Sequence, residues 1–313
     1  LHLYGHSFPT RRSSDLGNRV RSQYPEIVQK TKQVFVHKMK DFLIQQSDQI
    51  LIFAFVSLKM VAYYGNYTLV IGRLTMLFTT MIGGIVAGVG NLIAEGDKEK
   101  IQRVFGEMLF THYVIAGIVV FAIYQGIQPF IYLWLGQEYL LSHPILILLL
   151  VNAFIMLSRG TVDTFNIAYG NYHDTWSAWV EAGINISATI FSCIQWGLAG
   201  VLIGKIASLV PIIVIWKPLF LYRTSFKRSI WHYWKTVALT WLGFAIAFGI
   251  ASYSSRLLPF DPYHDFMQWT SYCVSLTAIF VLLYVIALFL FTQGAKDMTH
   301  RVINTMLKNN RMS

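Results

Sequence analysis

The chain has 313 residues, of which 55% are hydrophobic and only 13% are charged. A soluble domain carries about 25% charged residues, so this composition excludes an ordinary soluble protein and favours a polytopic helical membrane protein. The formal net charge of +10 would suggest a nucleic-acid partner in a soluble protein. In a membrane protein, however, Lys and Arg retain loops in the cytoplasm, and we expect no nucleic-acid partner. Cys193 and Cys273 are isolated in apolar segments, which excludes a disulfide framework or a zinc site.

The first 40 residues divide into two segments. Residues 6–16 match the translation of a common sequencing adapter, so we interpret residues 1–16 as an artefact of the gene model. The chain begins with Leu1 rather than Met, and we expect it to be the C-terminal part of a longer protein. Residues 17–40 are polar and basic and are predicted to lie in the cytoplasm.

Apolar runs of membrane length follow in chain order and predict about eight transmembrane helices. The predicted spans are 41–62, 68–92, 108–134, a pair within 151–197 joined by the turn 170–174, 198–216, 236–257 and 267–293. The first six, over 41–216, form one predicted lobe, and the last two, over 236–293, are additional helices. Between them lies a basic and aromatic linker, 217–235, which could form an interfacial helix on an anionic leaflet. Residues 294–313 form a basic tail.

The distribution of Lys and Arg predicts the orientation of these helices. If residues 17–40 lie in the cytoplasm and the spans alternate, the external loops hold one basic residue, Arg256. The cytoplasmic segments then hold all the other basic residues of the loops, as the positive-inside rule requires. Both ends of the chain are therefore predicted to be cytoplasmic, as is the turn 170–174, which contains no Lys or Arg.

Two predicted helices carry a polar stripe each. The residues of each stripe recur at steps of 3, 4 or 7, so they share one helix face. The fourth helix carries Asn152, Arg159, Asp163 and Asn166, and the fifth carries Asp174, Ser177, Glu181, Asn185 and Ser192. Ionisable groups at membrane depth are costly and usually face a bundle interior or a wet cavity. We therefore predict that this pair of helices lines a hydrophilic space.

Charges also occur in other predicted spans: Asp48 in the first, Arg73 in the second and Lys205 in the sixth. The predicted substrate-lining set is Asp48, Arg73, Asn152, Arg159, Asp163, Glu181, Asn185 and Lys205. Its cations would suit an anionic group such as a phosphate, and the carboxylates of Asp48 and Glu181 could carry a coupling H⁺ or Na⁺. Two alternatives stay open: Arg159 and Asp163 are i,i+4 partners that could form a structural salt bridge, and Arg73 could extend to the membrane surface.

The sequence contains none of the common enzyme signatures. The motifs G-x-S-x-G, H-E-x-x-H, GxxxxGK[ST] and C-x-x-C do not occur, and the His residues lack metal-ligand spacing. Asp261 and Asp265 share one short loop, where solvated carboxylates are a simpler interpretation than a catalytic pair. We therefore predict a protein that is not an enzyme, with no catalytic residues, bound metal or cofactor.

Five short segments occur in an order that resembles a known family. They are KDFLIQQSDQI (40–50), YGNY (64–67), GNLIAEGD (90–97), AYGNYHDT (168–175) and GLAGVLIG (197–204). Each is weak alone, but together they resemble the polysaccharide flippases. These are the exporters of O-antigen and capsule repeat units within the multidrug/oligosaccharidyl-lipid/polysaccharide exporter superfamily.

The resemblance implies a multi-pass protein of the bacterial inner membrane that moves undecaprenyl-pyrophosphate-linked oligosaccharide repeat units for surface polysaccharide synthesis. It implies two lobes that rock against each other, of which this chain would supply the C-terminal lobe and two further helices. The expected partners are therefore the lipid-linked oligosaccharide with its anionic diphosphate, membrane lipids and a missing N-terminal lobe. Two alternatives stay open: a drug or cation exporter of the same superfamily, and a membrane polymerase of the same pathway.

Overall fold

The computed structural model describes residues 25–83 and 85–291, apart from the side chains of residues 41, 43–47, 81–82, 85–87 and 291. The predicted artefact at 1–16 and the predicted tail at 294–313 lie outside this range. Within the described residues the chain is helical and contains no β-strand. The all-α prediction is therefore confirmed for this part of the chain.

Eleven α-helices follow one another in the described residues. They are α1 (Pro25–Phe55), α2 (Leu58–Gly83), α3 (Ile85–Glu95), α4 (Lys98–Leu135), α5 (His143–Ser158), α6 (Gly160–Ala168), α7 (Thr175–Trp196), α8 (Leu198–Leu209), α9 (Lys217–Leu221), α10 (Trp231–Ser254) and α11 (Phe266–Phe291). Short 3₁₀ turns follow α4 and α10, and π-helical turns flank α9.

Five helical segments in the described residues are long and apolar enough to cross a membrane. They are Lys98–Leu135, His143–Ala168, Leu198–Phe226, Trp231–Leu257 and Phe266–Leu290. The protein is thus an α-helical protein with several membrane-length helices. The other three predicted spans correspond to α1, to α2 with α3, and to α7, so the count of about eight stays a prediction.

Several helix boundaries differ from the predicted ones. α1 spans Pro25–Phe55, 31 residues, so residues 25–40 of the predicted basic segment are helical. The helix that begins with α8 continues through π-helical turns and α9 to Phe226. Pro211 and Pro218 lie in this continuation, where wider π turns accommodate residues that lack a backbone N–H. A short turn at 227–230 then leads into α10, so the predicted linker is helical on both sides of this turn.

α7 and α8 form a tight hairpin because glycines face α7. The chain reverses at Gly197, which has a φ of 55°, a conformation that glycine adopts without strain. A Cβ added to Gly200 would lie 2.0 Å from the Ser192 carbonyl oxygen, and one added to Gly204 would lie 2.3 Å from Thr189 Oγ1. The Ser192 hydroxyl donates to the Gly200 carbonyl at 2.6 Å. Small residues thus permit the backbones to approach closely.

α10 and α11 pack against α4 through aromatic contacts. The Phe121 and Phe280 rings stack with centroids 4.2 Å apart. The Tyr284 ring fills the space beside Gly117, where an added Cβ would lie 2.4 Å from a ring carbon. The Tyr284 hydroxyl donates to the Tyr113 carbonyl at 3.1 Å. This part of the core is held by apolar area and ring geometry.

One end of the bundle is held by an aromatic cluster. Phe105 of α4 contacts Phe165, Tyr222, Phe226 and Tyr233, with ring centroids 5.1–6.3 Å apart. The cluster joins the start of α4 to the end of α6 and to both sides of the turn 227–230. At the same end, the Asn171 amide donates to Ser225 Oγ at 2.8 Å. We call this end, with the turns 170–174 and 227–230, the basic end.

Candidate functional site

Two buried ion pairs join α1 to the α7–α8 hairpin. Lys40 Nζ lies 3.0 Å from Glu181 Oε2, and both side chains are less than a tenth exposed. Lys205 Nζ lies 2.6 Å from Asp48 Oδ2. The Tyr64 hydroxyl of α2 donates to the same carboxylate oxygen at 3.0 Å. Asp48, Glu181 and Lys205 were all in the predicted substrate-lining set, and the structure places them along one contact between α1 and the hairpin.

The four side chains carry no net charge as a group. Taking an ion out of water costs several kcal/mol, and a close partner of opposite charge offsets that cost. The pairs therefore explain how four ionisable groups are accommodated among apolar helices. Lys205 is the most accessible member, with 18% of its side chain exposed against 5% for Asp48. An incoming anion would thus reach the Lys205 ammonium more readily than it would reach Lys40.

The two predicted Asn residues are also buried against α8. Asn185 Nδ2 donates to Ser208 Oγ at 3.3 Å. Asn152 Nδ2 donates to the Leu148 carbonyl at 2.9 Å and lies 3.4 Å from the Leu202 carbonyl. Their Oδ1 atoms, and the Oγ1 atom of Thr189, are buried without a hydrogen-bond partner among the described residues. A buried amide oxygen without a hydrogen-bond donor costs free energy. These oxygen atoms beside α8 could therefore accept a hydrogen bond from a bound polar group.

Arg159 and Asp163 form the ion pair that their spacing allows. Arg159 Nε contacts Asp163 Oδ2 where the helix breaks between α5 and α6, and both side chains are partly exposed. Gly160 begins α6 directly after the break, and a Cβ added to it would lie 2.3 Å from His112 Nε2. His112 Nδ1 is 2.9 Å from Thr161 Oγ1. The pair is local to one broken helix, whereas the α1 pairs join separate helices.

Arg73 is the one predicted residue that lies on an open helix face. Its side chain is exposed on α2, as are the neighbouring Leu74 and Leu77. The structure therefore does not bring Arg73 together with the two buried ion pairs. Its place on this face agrees with the alternative in which the side chain extends towards the membrane surface.

Lys40 and Tyr64 were not in the predicted set, although both contact predicted residues. Lys40 had been assigned to the basic segment that precedes the first span. Because it precedes Asp48 by eight residues, the two share one face of α1, and this spacing is the signal in the sequence. Nothing in the sequence indicates which carboxylate on another helix Lys40 contacts.

A third buried carboxylate lies at the basic end. Asp174 Oδ2 accepts hydrogen bonds from Trp216 Nε1 at 2.9 Å, Lys217 Nζ at 3.1 Å and Ser177 Oγ at 2.8 Å. Gly170 lies under α1, since an added Cβ would be 3.3 Å from Lys30 Nζ. The turn 170–174 contains no Lys or Arg, but α1 and α9 supply cations to it, Lys30 and Lys217.

His37 of α1 faces the same turn. Burial lowers the pKa of its imidazole, and the charges of Lys217 and Lys40 lower it further, whereas Asp174 and the Tyr172 backbone raise it. Because the net shift is downward, the imidazole favours its neutral form. His37 thus packs beside two ammonium groups without adding a third positive charge.

One open groove among the described residues lies away from these polar side chains. It has a volume of about 590 Å³ and is lined by one apolar face of α11, from Cys273 to Leu282. Among the described residues, no group of three His, Cys, Asp or Glu side chains is placed to hold a metal ion. Comparison of the chain with models of protein families, with curated proteins and with solved structures found no match.

Proposed function

We propose that the chain is the C-terminal lobe of a flippase for undecaprenyl-pyrophosphate-linked oligosaccharide repeat units. The observation that carries the proposal is the pair of buried ion pairs between α1 and the α7–α8 hairpin. Asp48, Glu181 and Lys205 lie in predicted membrane spans, where ionisable groups usually mark a substrate or ion pathway. The order of the five family-like segments supports the substrate class.

The partly exposed Lys205 gives this proposal a chemical step. A diphosphate that approaches Lys205 competes with Asp48 for the same ammonium group, because both are anionic oxygen ligands. Binding of the lipid-linked substrate would thus weaken one of the two connections between α1 and the hairpin. Substrate arrival is coupled in this way to a movement of α1, as alternating access between two lobes requires.

The released carboxylate gives a place for a coupling ion. Once Lys205 contacts the diphosphate, Asp48 keeps the Tyr64 hydroxyl as its donor and becomes available to an H⁺ or Na⁺. Glu181 would become available to a cation in the same way if Lys40 moved away from it. We therefore propose that cation binding at Asp48 follows substrate binding at Lys205.

The decisive experiment deletes the complete gene that encodes this chain. We expect lipid-linked repeat units to accumulate on the cytoplasmic side and surface polysaccharide to disappear. Loss of a polymerase would instead leave single repeat units on the surface. Loss of a drug exporter would raise the cellular retention of a cationic dye and leave polysaccharide unchanged. Normal surface polysaccharide in the deletion strain would contradict the proposal.

Complementation of the deletion strain with variant genes then tests the roles of Lys205 and Arg159 in export. Lys205→Gln and Arg159→Gln should each reduce export per molecule of folded protein in the membrane, a normalisation that Lys205→Gln needs because it leaves Asp48 without its cation. Lys205→Arg keeps the charge and should restore most of the export. Lys59→Gln is the matched control, because Lys59 is exposed and outside the predicted set. Wild-type export from both Gln variants would assign Lys205 and Arg159 to structural roles.

A further inference from the structure

The turn 227–230 and the π-helical turn before it present exposed cations. Arg223, Lys227 and Arg228 are exposed, and Lys227 has a φ of 51°, which turns the chain sharply between the two helices. Among the described residues, no ion pair involves any of the three. Three positive charges are thus concentrated within six residues.

The inner side of the same turn is fixed by aromatic packing. Tyr222, Phe226 and Tyr233 are buried, and all three rings contact Phe105 of α4. The cations are therefore held on a rigid support, with little conformational freedom left in the turn to lose on binding. Arg103, also exposed, precedes Phe105 by two residues and adds a further cation at this end.

The depth of the turn indicates which partner it meets. Two membrane-length segments, Leu198–Phe226 and Trp231–Leu257, end on either side of it. The cations therefore lie where apolar helices leave the hydrocarbon, at the level of lipid headgroups. Trp231 is 74% exposed beside them, and exposed Trp residues favour the boundary between hydrocarbon and headgroups.

We propose that Arg223, Lys227, Arg228 and Trp231 form a binding site for the headgroups of anionic phospholipids. Clustered cations attract anionic lipid through both charge and hydrogen bonds, and Arg binds phosphate oxygens in a bidentate manner. The indole of Trp231 inserts beside the glycerol backbone of the same lipids. This site does not depend on the proposed flippase activity, since none of its residues contacts the two buried ion pairs.

The test uses the purified full chain in nanodiscs of phosphatidylcholine with one fifth phosphatidylglycerol. Either lipid carries brominated acyl chains, which quench nearby Trp fluorescence. The contribution of Trp231 is the difference between the wild type and Trp231→Phe. We expect brominated phosphatidylglycerol to quench Trp231 several times more strongly, per mole of brominated lipid, than brominated phosphatidylcholine does. Raising the salt concentration should reduce that preference.

The variant Arg223→Gln/Lys227→Gln/Arg228→Gln should abolish the preference. Each cation near the surface contributes about fivefold in affinity for anionic lipid, so three contribute about a hundredfold. Lys59→Gln/Arg256→Gln removes two exposed cations from the opposite end and should keep the preference. Equal melting temperatures of the triple variant and the wild type would show that the fold is intact.

Three results would overturn the assignment. The first is equal quenching of Trp231 by both brominated lipids in the wild type. The second is tighter binding of the turn to a single-stranded oligonucleotide than to phosphatidylglycerol, lost in the same triple variant, which would make the surface a nucleic-acid site. A triple variant that is folded and keeps the full preference for phosphatidylglycerol would equally remove these cations from the site.

Discussion

The two sides of the helical bundle are held together by different chemistry. On one side, α1 meets the α7–α8 hairpin through two ion pairs, Lys40–Glu181 and Lys205–Asp48. On the other, α10 and α11 meet α4 through stacked rings, such as Phe121 on Phe280. Apolar packing in a membrane competes only with lipid, whereas a buried ion pair can be exchanged for another charged partner. The ion pairs between α1 and the hairpin can therefore be exchanged for contacts with another charged group. The apolar contacts of α10 and α11 with α4 offer no such exchange.

The largest expected effect on folding comes from the α7–α8 hairpin, which supplies Glu181 and Lys205 to the two ion pairs. Gly204→Leu should prevent the hairpin from forming, because its added Cβ would lie within 2.4 Å of the Thr189 backbone as well as of Oγ1. Backbone atoms cannot move aside as a flexible side chain can. We expect loss of monodisperse protein in size-exclusion chromatography.

Gly183→Leu is the matched control, since no atom lies within 4 Å of a Cβ added there. It should keep the wild-type elution profile, and Gly183→Ala should stabilise α7 by up to about 1 kcal/mol through helix propensity. Normal folding of Gly204→Leu would contradict the close approach of the two helices.

The second effect comes from breaking one buried ion pair. Asp48→Asn leaves the Lys205 ammonium without its anionic partner and should lower the free energy of unfolding by about 3–5 kcal/mol. Adding Lys205→Gln should recover much of that loss, because no buried charge is then left unpaired. Unfolding in mixed micelles of increasing denaturing detergent measures the cycle.

The exposed pair between Lys100 and Glu95 provides the comparison for that cycle. Glu95→Gln should change the free energy of unfolding by less than about 0.5 kcal/mol, because water screens exposed charges. Additive effects of Asp48→Asn and Lys205→Gln would show that the two side chains do not stabilise each other.

The third effect, the loss of one hydrogen bond on the apolar side, is smaller. Tyr284→Phe removes the hydrogen bond to the Tyr113 carbonyl but keeps the ring, so we expect a loss of about 1 kcal/mol. Tyr284→Ala also removes the ring and should cost about 3–5 kcal/mol. Neither loss should depend on salt concentration. A strong salt dependence would remove the contrast between the two sides.

The smallest effect concerns pH at the basic end. The pKa of His37 is lowered from 6.5 by burial and by Lys217 and Lys40. The folded protein therefore binds its proton less readily than the unfolded chain does. The stability that follows from this shift is present above pH 6.5 and is lost as the pH falls through the lowered pKa. Protease sensitivity of α1 should accordingly rise below pH 6.5.

His37→Gln keeps a neutral polar side chain and should flatten that pH dependence. His264→Gln is the matched control, because His264 is exposed beside Asp265 on an outer loop. An unchanged pH profile in His37→Gln would assign the acid sensitivity to another group.

The sequence predicts each kind of contact to the extent that the contact is local. The Arg159–Asp163 pair could be anticipated because both residues lie four positions apart, and the structure contains it. Helix type and the apolar character of α10 and α11 follow equally from composition. The partners of Lys40 and Lys205 could not be assigned, because they lie 141 and 157 positions away along the chain. Which helices become neighbours depends on the packing of glycines such as Gly200 against a backbone.

The continuation of α8 to Phe226 shows a second limit. Basic and aromatic residues after Lys217 have the composition of a surface segment, yet Tyr222 and Phe226 are buried around Phe105. Aromatic rings bury equally well in a core or at a membrane surface. Periodicity alone therefore could not place the end of this helix.

The two ion pairs on α1 also have opposite polarity. α1 presents a cation at Lys40 and an anion at Asp48, whereas the hairpin presents an anion at Glu181 and a cation at Lys205. The charges of α1 and of the hairpin are therefore complementary in the observed register of the two elements. Sliding α1 along the hairpin from one pair towards the other would bring Lys40 to Lys205 and leave a carboxylate stranded in apolar surroundings. The two ion pairs therefore oppose a shift of α1 along the hairpin axis.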